Sequence, residues 1–278
     1  MKFKKMHGLG NDYLFINGFQ EGEDHDWADL ARRMSDRHFG VGSDGIILIL
    51  PSDKAAFRMR IFNADGSEAE MCGNGMRCFA RYVYEEGMTG DIEFDVETGA
   101  GLIRPRLILE NGKVKAVRVN MGPPRFAAED IPVRAEGEVV DSPLLAGGKT
   151  FLVTAVSMGN PHCVVFLDDL DGLSLEVSGP ALERNPMFPK GANVEFVKVM
   201  DREFARMIVW ERGSGATMAC GTGACAVLAA GVRTGRLNPS AIINLPGGDL
   251  MVEWAADGNI YMTGPAVAVC DGVFLGAE

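Results

Sequence analysis

Cys72 and Cys220 are the residues of this 278-residue chain whose type and setting best suit chemistry. Each precedes Gly-x-Gly and then a stretch that reads as a helix: Cys72-Gly73-Asn74-Gly75 in one place and Cys220-Gly221-Thr222-Gly223 in the other. A thiol directly before a helix lies beside the unsatisfied N–H groups of the first turn. Their partial positive charge favours a thiolate and can also hold an anion. A single cysteine of this kind reads as a small buried hydrophobe. Two of them in matching contexts point to function instead. Thiols on opposite sides of one carbon can invert it, one removing a proton and the other returning a proton to the opposite face. An ordinary thiol pKa of about 8.5 is near enough to neutrality for either role once tuned.

The elements that must carry these cysteines are themselves duplicated. Gly10-Asn11 has a counterpart in Gly159-Asn160, and Gly42-Ser43-Asp44 aligns with Gly191-Ala192-Asn193. Together with the two cysteine loops, these ordered matches at a nearly constant offset indicate two similar domains whose loops converge on a shared cleft. Many short strands and two long helices, after Cys72 and after Cys220, give an α+β class with mostly antiparallel, barrel-like sheets. Further expectations are a helix over 26–37, strands over 46–50, 57–62, 91–96 and 101–109, and a hairpin at Asn111-Gly112. In the second half, strands are expected over 151–156, 163–167, 191–197 and 203–210, with a short helix over 175–184. Hairpins follow over 241–262, turning at Gly247-Gly248 and Asp257-Gly258, and a final strand runs over 266–275. The domain boundaries are placed at 1–120, joined by the terminal strand 265–278, and at 121–264, with Met121-Gly122-Pro123-Pro124 as the break.

A net charge of −11 argues against nucleic acid and anionic membranes as partners. The longest apolar run, 218–232, is shorter than the roughly 20 residues of a membrane helix, and no export signal follows Lys2, Lys4 and Lys5. A cytoplasmic protein with its six cysteines as free thiols is therefore expected. The spacings suit no common zinc site, and no metal is expected. The segment 221–226 fits Gly-x-Gly-x-x-Ala, but it lacks the surrounding βαβ unit and an acidic residue about 20 positions on, which argues against a dinucleotide.

Other side chains surround the cysteine loops. Arg212 suits a second carboxylate on a substrate, while Glu211, Asn63 and Asn193 suit an ammonium group. The amides of Gly73, Asn74, Gly221 and Thr222 suit the carboxylate next to the reacting carbon. His162 reads either as a tuner of a neighbouring thiol or as an ordinary structural histidine.

At these residues the chain resembles the diaminopimelate epimerases over essentially its whole length. The likeness is carried by Gly8-Leu9-Gly10-Asn11-Asp12, residues 62–67, Met71-Cys72-Gly73-Asn74-Gly75, Gly159-Asn160-Pro161-His162, residues 191–193, Glu211-Arg212-Gly213 and residues 219–224. The resemblance implies a cofactor-independent enzyme that interconverts LL- and meso-2,6-diaminopimelate on the route to lysine and peptidoglycan. It also implies two similar domains, each a sheet around a central helix with the active site between them, and a homodimer. Carried onto this sequence, Cys72 and Cys220 are the catalytic thiols. Asn11, Asn63, Gly73, Asn74, Asn160, Asn193, Glu211, Arg212, Gly221 and Thr222 are substrate contacts, and His162 and Glu211 tune the thiols. Two departures stand out: Gly45 occupies a position where many relatives carry glutamine, and Cys270 one where enterobacterial relatives carry a tyrosine at the dimer contact. The rival readings are a proline racemase or hydroxyproline epimerase, a cysteine hydrolase using Cys220 and His162, and a non-catalytic binding protein.

Overall fold

The apolar run 45–50 has no polar residue, so a strand formed from it must be covered on both faces. That requirement organises the first half of the chain. In a computed structural model, which describes residues 1–22 and 24–277, Gly45–Leu50 is a strand buried throughout. One face carries Ile46, Leu48 and Leu50, which join Trp27, Leu30, Ala31 and Met34 in a core cluster. Ile47 lies on the opposite face, against the helix that begins after Cys72.

The elements run in chain order as β1 (Lys2–Gly8), β2 (Asn11–Asn17), α1 (Gly18–Glu21), α2 (Trp27–Ser35), β3 (Gly45–Leu50), β4 (Phe57–Asn63), β5 (Glu68–Ala69) and α3 (Gly73–Glu85). The small strands β6 (Val96–Thr98) and β7 (Gly101–Ile103) and the hairpin β8 (Arg106–Glu110) and β9 (Lys113–Asn120) follow. The first unit comprises Met1–Asn120 with Gly264–Glu278. Its sheet path is β1-β2-β3-β4-β6-β7, parallel at β2–β3 and β4–β6 and otherwise antiparallel, with β5 beside β4. Helix α3 packs against β1, β2, β3, β8 and β9 and buries residues on all sides, as a central helix must.

The second unit, Met121–Thr263, holds β10 (Ser142–Ala146), β11 (Lys149–Ser157), β12 (Pro161–Phe166), α4 (Leu175–Glu183), β13 (Asn193–Asp201), β14 (Phe204–Glu211), β15 (Gly215–Ala216), α5 (Gly221–Arg233), β16 (Ser240–Leu245), β17 (Gly248–Trp254) and β18 (Ile260–Gly264, whose last residue falls with the first unit). Strand β19 (Val267–Val273) belongs to the first unit and pairs with β1. In the second unit the path β11-β12-β13-β14-β16-β17 repeats the first, with parallel pairs at β12–β13 and β14–β16 and with β15 beside β14. Helix α5 packs against β11, β12, β13, β16 and β17, and residues 223–231 are buried without interruption. The units are thus two copies of one topology, each with a helix leaving a cysteine at the same step of the chain.

Several local expectations shift. Residues 101–109 divide at Pro105, which has no N–H to continue a ladder, into β7 and β8. Most of 91–96 is not strand, and Glu93 makes one isolated bridge to Arg106. Leu245 pairs with Gly248, so the turn is Pro246-Gly247 and not Gly247-Gly248. The hairpin at Asn111-Gly112 forms with both residues at positive φ, 51° and 75°. The duplication register also moves by one on β3. Tyr13 is opposite Gly45 and His162 is opposite Asn193, so the counterpart of Asn193 is Gly45 and not Asp44.

Candidate active site

Both cysteines are N-caps. Cys72 has extended backbone before α3 and its Sγ accepts the Gly75 N–H at 3.4 Å; Cys220 does the same before α5, accepting from Gly223 N–H at 3.3 Å. The glycine at that third helical position is closely packed in each copy. A Cβ on Gly75 would lie 2.6 Å from Ile47 Cδ1, and one on Gly223 would lie 2.7 Å from Glu195 Oε1 and 3.1 Å from Cys220 Sγ. The first-turn amides of Gly73, Asn74, Gly221 and Thr222 lie beyond each sulfur, in the helix position whose N–H groups have no intrahelical acceptor.

In the first unit Cys72, half-buried, donates to Asn11 Oδ1 at 3.5 Å, and Asn74 Nδ2 donates to the same oxygen at 3.2 Å. Asp44 holds the other end of the Asn11 amide, accepting from Nδ2 at 2.8 Å and from the Asp12 N–H at 3.0 Å. Lys5 and Arg37 bind Asp12 in turn, and Arg37 also binds Asp44. Burial pushes the Cys72 thiol up, opposed by the Gly75 and Asn74 N–H groups, the Tyr13 hydroxyl and the Arg77 guanidinium. Tyr13 itself is pushed well above the ordinary phenol range, first by burial and then by the neighbouring sulfur. Asn63, at the end of β4, donates to Ser67 Oγ at 3.0 Å.

The second unit is lined differently. Cys220 is 4% exposed, and its sulfur lies 3.6 Å from Thr222 Oγ1. Asn160 Nδ2 donates to Thr222 Oγ1 at 3.4 Å, and Asn160 Oδ1 lies 2.9 Å from His162 Nε2. His162 Nδ1 is 2.7 Å from Glu195 Oε1, and neither side chain is exposed at all. Burial pushes the Cys220 thiol well up, and the carboxyls of Glu211 and Glu195 push it further; Thr222 and the Gly223 N–H oppose them. Glu211 is itself raised, chiefly by burial, although it accepts a hydrogen bond from Thr217. Asn193 accepts from the Arg212 N–H at 2.9 Å and donates to Pro161 C=O at 3.2 Å. The exposed Arg212 guanidinium donates to Lys190 C=O at 3.2 Å.

The residues singled out from sequence fall at or next to strand ends, at the two helix N-termini or in the loop before β12. Asn11, Gly73 and Asn74 gather around Cys72; Asn160, His162, Glu211, Gly221 and Thr222 gather around Cys220. Gly45 cannot carry a glutamine on this backbone, because its Cβ would lie 2.2 Å from Phe62 C=O. Three residues were missed. Tyr13 and Asp44 were legible as the twins or neighbours of chosen residues. Glu195 in Val194-Glu195-Phe196 reads as the outward residue of an alternating strand, although its twin Ile47 sits in a run buried on both faces. All six cysteines are free, and among the described residues no three of His, Cys, Asp and Glu converge as metal ligands.

The sequence signature of the family described as diaminopimelate epimerase matches residues 3–127 and 154–269. The diaminopimelate epimerase of Moorella thermoacetica is 55% identical over 276 residues, covering 99% of both chains. This chain belongs to the diaminopimelate epimerase family. Another member, from Desulfitobacterium hafniense, is 51% identical over 99% of this chain and 98% of its own. More distant solved structures share the family's fold. A Bacillus anthracis phenazine biosynthesis protein superposes with a TM-score of 0.72 at 17% identity, covering 98% of each chain. A probable proline racemase from Agrobacterium radiobacter superposes at 0.70 with 18% identity, covering 98% of this chain and 92% of its own.

Proposed function

We propose that the chain interconverts LL- and meso-2,6-diaminopimelate by a two-base mechanism, with Cys72 and Cys220 as the two bases, on the route to lysine and peptidoglycan. The observation that carries the reading is the pair of topologically equivalent helix N-termini, each capped by a thiol that accepts the third-residue amide. One thiolate takes the α-proton while the opposite thiol delivers a proton to the other face, so the mechanism requires both sulfurs to flank one carbon. No cofactor enters these steps.

The amides of Gly73, Asn74, Gly221 and Thr222 hold the α-carboxylate. They also stabilise the charge that flows onto it as the C–H bond breaks. Asn11 and Asn160 orient substrate beside each sulfur. Arg212 takes the distal carboxylate, and Glu211, Asn63 and Asn193 take the distal ammonium. His162 and Glu211 set the protonation of Cys220. The family resemblance supports a homodimer, and the free thiols suit the cytoplasm.

A proline-type substrate is the second reading, since the fold is shared with a probable proline racemase. Proline has no distal carboxylate or ammonium for Arg212 and Glu211. The test incubates the purified protein with LL-diaminopimelate or with L-proline, without pyridoxal phosphate, and follows the stereoisomers by chiral chromatography. Inversion of diaminopimelate and not of proline is expected. Turnover of proline alone, or inversion only on adding pyridoxal phosphate, would overturn the reading.

A further inference from the structure

Glu195 is a fully buried carboxyl that no step above uses. It lies on β13 with its side chain on the α5 face, opposite to Val194 and Phe196, which join the core cluster of the second unit. Oε1 meets His162 Nδ1 at 2.7 Å, and Oε2 meets no hydrogen-bond donor among the described residues. The same Oε1 and the Cys220 sulfur both border the space beside Gly223 that a side chain would fill.

The hydrogen bonds around His162 fix where its protons are. Asn160 Nδ2 is directed at Thr222 Oγ1, so Asn160 Oδ1 is left to accept, and His162 Nε2 must donate to it. Nδ1 then carries a hydrogen bond to Glu195 Oε1 that needs one proton between the two atoms. That proton rests on nitrogen, as an imidazolium–carboxylate pair, or on oxygen, as imidazole and carboxylic acid. Either way the pair is neutral as a whole, which is how a fully buried carboxyl with an undonated oxygen is tolerated.

We propose that Glu195 is a positioning residue of the Cys220 half-site: sharing one proton with His162 Nδ1, it locks the imidazole with Nε2–H on Asn160 and so holds the Asn160–Thr222 arm against the Cys220 sulfur. The proposal rests on the epimerase reading and adds to it a residue and a hydrogen-bonded line from Glu195 through His162, Asn160 and Thr222 to the thiol. The titratable groups around Glu195 are His162 on β12, Glu211 on β14 and Cys220 at the start of α5, with Cys163 of β12 on the opposite face of the sheet. The first unit has no such line. By strand register Tyr13 takes the place of His162, and Ile47 that of Glu195.

The test alkylates the full-length protein with iodoacetamide across a pH series and measures Cys72 and Cys220 separately by peptide mass spectrometry. E195Q keeps a donor for Nδ1 but removes the carboxyl beside the sulfur; E195I installs the residue of the first unit and leaves Nδ1 without a partner. Both variants should displace the Cys220 profile along the pH axis, changing alkylation at pH 7 roughly threefold or more, while the Cys72 profile stays in place. E195I should also lower kcat for inversion about tenfold or more with KM nearly unchanged, and E195Q should retain more of it. An unmoved Cys220 profile in both variants, or equal movement of both cysteines, overturns the proposal. The alkylation arm needs no substrate, so its failure is distinct from a failure to epimerise diaminopimelate. E195Q, being close in shape, keeps the test open if E195I does not fold.

Discussion

The two helix N-termini share a backbone and differ in what lies around the sulfur. Around Cys72 stand an asparagine amide, a phenol, an isoleucine and the Arg77 guanidinium. Around Cys220 stand a hydroxyl, two carboxyls and a histidine tied to one of them. Burial raises both thiols, but only Cys220 is raised further by negative neighbours. In the proposed reaction the two thiols must start in different protonation states, and these two linings are where such a difference would arise. The two units share the cap geometry, and a few side chains make the difference between them.

The severest way to break this comparison is to remove one half. Cys72→Ala or Cys220→Ala should each lower diaminopimelate inversion by about 10²–10⁴-fold, the range for loss of a positioned acid or base, measured by chiral chromatography. Cys78→Ala should leave turnover within a few-fold, since Cys78 lies inside α3 away from the cap.

A finer cut places one methyl group in each cradle. Gly223→Ala should cost more activity than Gly75→Ala. The new Cβ meets a carboxyl oxygen held by His162 in one case and the free end of Ile47 in the other. A loss of about tenfold or more for Gly223→Ala against a few-fold for Gly75→Ala is expected, read from kcat/KM. Equal losses would show that the two linings do not differ in stiffness. Asp44→Asn tests the first unit alone. It weakens the grip on the Asn11 amide by about 1–3 kcal/mol and should alter Cys72 alkylation without altering that of Cys220.

Much of this was legible in the sequence because duplication left two copies to compare. Gly-x-Gly after a cysteine marks a cap in either half, and the pair gave the helices, the thiols and their flanking asparagines. What escaped was side-chain environment. Glu195 has the strand alternation of a surface residue, and only the parallel pairing of β12 with β13 puts it against the N-terminus of α5. The one-residue change of register on β3 was hidden for a related reason. Gly42-Ser43-Asp44 matches Gly191-Ala192-Asn193 by type, while strand pairing sets Gly45 opposite Tyr13 as Asn193 is set opposite His162. Short strands interrupted by Pro105 and the four-residue α1 carry too few residues for a period to show.

The smallest expected effect is on stability. Burial pushes Cys78 up to about 12 and raises Cys163 as well. A thiol that ionises later when folded than when unfolded adds stability below the unfolded value of about 8.5, and that stability is lost as pH rises above it. Urea midpoints should therefore fall steadily above about pH 8.5, and less steeply in Cys78→Ala. An unchanged slope in that variant would remove Cys78 from the explanation.

The most direct test of two thiols acting on opposite faces of one carbon is the fate of the α-hydrogen in deuterated water. LL-diaminopimelate is incubated with the protein, and both stereoisomers are analysed by mass spectrometry before a tenth of the substrate has reacted. The product should carry one solvent deuterium at the inverted carbon while the remaining substrate stays almost unlabelled, because the incoming hydrogen comes from the opposite thiol and not from the one that took the proton. A product that keeps the substrate's own hydrogen would mean one group serves both faces, and would contradict the account.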